Sequence, residues 1–124
     1  MGNGDDQFLQ VAETLASVKD SELAELAYPI LESWEPQIGL LGGNKLERIG
    51  AWLSGNLLAA NERAEKTGRG LIQILNEDRT RGDIALAAIV AAHLTKTFNI
   101  ESVPVEEVVA LSLLILRLYE PPGS

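Results

Sequence analysis

Two stretches near the carboxyl end limit what this chain can become. Between Ile84 and Leu94 only His93 is polar, and between Val103 and Tyr119 only Glu106, Glu107, Ser112 and Arg117 are. A helix on the outside of a small domain shows one apolar stripe, whereas a helix apolar most of the way round must be covered on most sides. Neither run reaches the roughly 20 residues that a bilayer-spanning helix needs. Together they predict a buried helical pair, or a face reserved for a partner.

The rest of the chain reads as helices that could supply that cover. Asp6 is placed to cap a first helix with Phe8, Val11, Ala12, Leu15 and Val18 on one side. Asp20 or Ser21 caps a second, in which Leu23, Leu26, Ala27, Ile30, Leu31 and Trp34 follow the helical spacing and Glu22, Glu25 and Glu32 face outward. Pro29 lies inside that pattern, removes one backbone donor, and is expected to kink or split the helix. Pro36, Gly39, Gly42 and Gly43 end it.

Asn44 should cap a third helix running from Lys45 towards Lys66, with Thr67-Gly68-Arg69-Gly70 as its stop. Leu71–Leu75 reads as a helical turn and residues 76–82 as a charged loop. A further helix is expected from Asp83 to Phe98, with Ile84, Ala87, Val90, Leu94 and Phe98 on one side and Ala85, Ala88 and Ala92 on another. Pro104 is tolerated in the first turn of the last helix, and Pro121-Pro122 forbids its continuation past Tyr119. The expected fold is an all-α, compact bundle of five to six helices with the two C-terminal apolar helices central. Residues 1–124 form one domain, with 1–5 and 120–124 as flexible tails.

Composition narrows the function classes. At 46% apolar and 23% charged residues the chain is too apolar for disorder. With 18 acidic and 10 basic side chains the net charge is −8, and ten of the acidic residues but only three basic ones fall in the first 62 positions. Such a surface repels phosphate backbones, which argues against sequence-independent nucleic-acid binding. It suits a basic protein partner, or simply solubility. There is no cysteine, hence no disulfide or thiolate chemistry. The start Met1-Gly-Asn-Gly-Asp-Asp lacks a basic region followed by an apolar run, and Asp6 stands where a myristoylation motif wants Ser or Thr. A cytoplasmic protein with no membrane association is expected.

Catalytic and metal-binding constellations are not spelled out. His93 is the sole histidine, and positions 89, 90, 96 and 97 beside it are Ile, Val, Lys and Thr, so no metal ligands accompany it on its helix. No Gly-x-Ser-x-Gly elbow occurs. The carboxylate pairs Asp5/Asp6, Glu77/Asp78 and Glu106/Glu107 fall at helix starts or in loops, where they suit the helix dipole. The run Gly39–Leu46 departs from a phosphate loop at Asn44 and Leu46, although the amides around Gly42–Lys45 could hold an anion. Arg63, Lys66, Arg69, Arg79 and Arg81 are interleaved with acidic residues and read as a self-satisfying loop region. No catalytic residue, metal site or cofactor is expected.

What remains is a small, acidic, non-enzymatic interaction module: an adaptor, an immunity-type inhibitor or an assembly subunit. Its docking face for a basic partner would be Glu22, Glu25, Glu32 and Glu35. Ala110, Leu113 and Arg117 occupy the stripe of the last helix that should be wettest, and two of them are apolar. That stripe is either core or the seam of a homodimer. In the alternative reading the chain is a regulatory domain that binds a small molecule near Trp34 and Trp52, unless both tryptophans simply pack in the core.

Overall fold

In the computed structural model the described residues are 3–34, 36–53, 74, 82–97 and 104–118. Among them there are helices and turns and no strand. Helix α1 spans Asn3–Leu15 and α2 spans Asp20–Trp34, followed by a short 3-10 helix, Pro36–Leu40. Helix α3 occupies residues 45–53. Residue 74 is also helical, and helices α4, Asp83–Thr97, and α5, Val105–Leu118, follow. The all-helical bundle expected from the sequence is what forms.

Helix α5 is its axis. Eight successive residues, Val108 to Ile115, are buried, which no amphipathic surface helix could achieve. Helices α1, α2 and α4 pack around it, and α4 also packs against α1. The one polar residue in that buried run, Ser112, donates its hydroxyl to the carbonyl of Val108 at 2.8 Å, so its burial leaves no donor unsatisfied. Helix α4 contributes Leu86, Ala87, Val90, Ala91 and Leu94, and of the alanine flank read from the sequence Ala88 is buried while Ala85 and Ala92 are half-buried. The stripes of α1 (Phe8, Ala12, Leu15) and α2 (Leu23, Ala27, Ile30, Leu31) close the core.

Helix directions follow from which ends meet. Arg117, at the end of α5, bonds to Ala16 and Val18 just after α1 and to Asp20 at the start of α2. At the other end Gln7 and Val11 of α1 and Leu26 of α2 surround Pro104–Glu107. Helices α1 and α5 therefore run parallel, and α2 runs against both.

Local signals were met in most places, with two departures. Helix α1 begins at Asn3 rather than after Asp6. Of the kink or split expected at Pro29 the split does not occur: α2 runs unbroken through the proline, which lies on the exposed face. Asn44 does cap α3. Its side chain accepts from the Glu47 amide at 2.8 Å, while its own amide donates to the Glu47 carboxylate at 3.2 Å, a reciprocal capping box. Gly43 precedes it with φ +93°, a conformation that favours glycine. The expected extension of α3 towards Lys66, its Gly-rich stop, the loop at 76–81 and the tail at 120–124 lie outside the described residues.

Candidate functional site

The outward face of α2 carries the residues singled out for partner binding. Glu22, Glu25 and Glu32 are all exposed, and with Pro29 between them their spacing of three, four and three residues draws one stripe along the helix. Glu35 lies outside the described residues. Lys45 reaches across from α3 to Glu25, Nζ to Oε2 at 2.8 Å, and its Nζ sits 5.4 Å from the centre of the Tyr28 ring. The Tyr28 hydroxyl in turn accepts from Arg48, whose Nε also donates to the Leu41 carbonyl. Glu25 is thus tied into the scaffold, and Glu22 and Glu32 are the carboxylates of the stripe with no partner among the described residues.

Of the two outcomes expected for Ala110 and Leu113, core or homodimer seam, burial within the single chain favours core. Ala110 is fully buried and Leu113 is 2% exposed within the single chain, because α5 is enclosed by α1, α2 and α4 and has no wet stripe at that height. A side chain already covered by its own chain offers a second copy no surface. Arg117 is exposed but turned inward: its guanidinium donates to the carbonyls of Ala16 and Val18, each at 2.8 Å, and to Asp20 Oδ1 at 2.7 Å. It ties the carboxyl end of α1 to the amino end of α2, where a cation meets the negative end of one helix dipole.

Trp52 is 6% exposed and belongs to the core, and the side chain of Trp34 lies outside the described residues. His93 is half-buried on α4. Among the described residues no three metal-ligating side chains gather. The amide of Asn44, part of the suggested anion loop, is already taken by the carboxylate of Glu47. Glu106 and Glu107 occupy the first turn of α5, as helix-start carboxylates. Arg63, Lys66, Arg69, Arg79 and Arg81 lie outside the described residues.

One further feature was not anticipated. A cleft of about 650 Å³ opens between α1, the start of α4 and the end of α5. Leu9, Glu13 and Ala16 form one wall, at a spacing that places them on one face of α1. Leu116 and Arg117 form the other, Leu113 behind them adding only the 2% of its surface left uncovered, and Gly82 to Ala85 close the end. The signal for it was Leu9, an apolar residue off the stripe of α1, which is 36% exposed. Neither Trp52 nor His93 lines this cleft.

No protein-family model, curated protein or solved structure matches the chain. None of the described helices is long and apolar enough to cross a membrane.

Proposed function

We propose that this protein is a small, acidic, non-enzymatic interaction module that acts in the cytoplasm as an adaptor, inhibitor or assembly subunit for a basic partner. The observation that carries this reading is the α2 stripe, where Glu22 and Glu32 project from a rigid helix without compensating cations among the described residues. Carboxylates held in register on a helix raise the encounter rate with a basic surface and set its orientation, at little cost to the fold. Its test is charge reversal. Glu22→Lys with Glu32→Lys should keep the helical circular dichroism and melting temperature while abolishing co-purification of a basic protein from native lysate. Retention of that protein by the reversed variant would overturn the reading.

Self-association is the second element, and it rests on a different surface from the one expected. Leu40, at the end of the 3-10 helix, is 86% exposed, and Leu41 beside it is also exposed. Two adjacent leucines outside the core form the apolar patch on which a second copy would close.

A further inference from the structure

The α1–α4–α5 cleft combines apolar walls with an electrostatic imbalance. Leu9, Ile84 and Leu116 are among its apolar lining residues, and Glu13, Asp83 and Arg117 are the charged ones among the described residues. The three do not neutralise one another. Arg117 makes its bonds to Ala16, Val18 and Asp20, outside the pair of carboxylates. Glu13 and Asp83 are both exposed, and neither has an ion pair or a side-chain hydrogen bond among the described residues. An apolar slot therefore carries two uncompensated negative charges, beside an arginine that is already engaged.

That combination selects its occupant. An anion is repelled by Glu13 and Asp83 even though the amino end of α4 lies at the cleft. A neutral apolar ligand would strip water from the carboxylates and return nothing for it. A cation with apolar anchors satisfies both parts. Leu9 to Ala16 spans two helical turns, about 10 Å at 1.5 Å per residue, which matches the reach of anchors at i, i+3 or i+4, and i+7 on a docked helix. We infer that the cleft receives an amphipathic basic helix of a partner protein, its apolar anchors seated against Leu9, Ile84 and Leu116 and its Lys or Arg residues facing Glu13 and Asp83. The inference rests on the interaction-module reading, but on a surface separate from the α2 stripe.

The probe is a fluorescein-labelled helical peptide of Leu, Ala and Lys, with Leu at i, i+3, i+4 and i+7 and Lys on the flanks, titrated against the full chain by anisotropy. Its Glu-for-Lys counterpart is the control. The Lys peptide should bind and the Glu peptide should not. Glu13→Gln with Asp83→Asn should weaken binding about tenfold, from two exposed ion pairs lost. Leu9→Ala should weaken it by a further, salt-independent factor. Glu22→Gln with Glu32→Gln, the same charge change on α2, should leave it unaltered. Should the Asp83 variant melt early, Glu13→Gln alone carries the test with about a threefold loss.

No binding of the Lys peptide would overturn the inference, as would equal loss in both double variants, which marks attraction to net charge alone. Loss only in the Glu22/Glu32 variant would also overturn it while leaving the proposed function standing, since the basic helix would then lie on α2. Equal binding of the Glu peptide would remove the charge argument and with it the assignment.

Discussion

Gly43 and Arg117 show how single residues hold this bundle's corners. A Cβ at Gly43 would lie 2.9 Å from the Cβ of Glu47, and φ there is +93°, so an L side chain meets both strain and a clash. Glu47 cannot give way freely, because its carboxylate completes the capping box with Asn44. Gly43→Ala should therefore cost about 1–2 kcal/mol in urea unfolding. Gly39→Ala, where nothing lies within 4 Å, should be close to neutral. Equal effects at both positions would mean the cap does not depend on this geometry. Arg117 makes a different kind of corner, since its planar fork reaches three oxygens on two chain segments at once. Arg117→Lys keeps the charge but offers a point donor in place of the fork, and should lose about 1–2 kcal/mol. A lysine variant as stable as the parent would show that only the charge matters.

At the scale of elements, the decisive question is which helices have a wet side. Helix α5 has none over Val108–Ile115, so Leu113→Asp should unfold the chain, with loss of helical circular dichroism, by forcing a carboxylate into the core. Leu113→Ala should cost about 2–5 kcal/mol and Ser112→Ala less than about 1 kcal/mol, because the serine hydroxyl only supplements a carbonyl already in a helix. A folded Leu113→Asp protein would mean that α5 is open there. These expectations mark where the sequence was informative. The phase of α2 was legible because Glu22, Glu25 and Glu32 name its outer side. Helix α5 has no such marker between Glu107 and Arg117, so periodicity could not distinguish a seam at Ala110 and Leu113 from core. The role of Arg117 depends on segments about a hundred positions away, beyond the reach of any local pattern. The cleft left one trace, the off-stripe Leu9, and needed the ends of α4 and α5 to become visible. Asn44, by contrast, bonds to Glu47 only three residues on, and its role as a cap could be read directly.

For the molecule as a whole, enclosure of α5 by α1, α2 and α4 separates folding from association. If the core is completed within one chain, a second copy contributes nothing that the fold requires, and any homodimer must close on surface residues. Leu40 ends a 3-10 helix whose buried Ile38 anchors it to the core, and Leu41, also exposed, follows it directly. Light scattering across a concentration series should then give twice the chain mass for the parent protein. Leu40→Asp should give the single-chain mass at every concentration, because a charge on each copy would meet its twin across a two-fold interface. The variant should keep the parent's circular dichroism and unfold cooperatively at a midpoint independent of concentration, since mass action no longer couples the copies. Two outcomes would break the argument in different places. A parent protein that is monomeric throughout would remove self-association while leaving the α2 stripe and the cleft as binding surfaces. A Leu40→Asp chain that dissociates and unfolds together would mean the bundle is not complete on its own, and that the cover of α5 depends on a second copy after all.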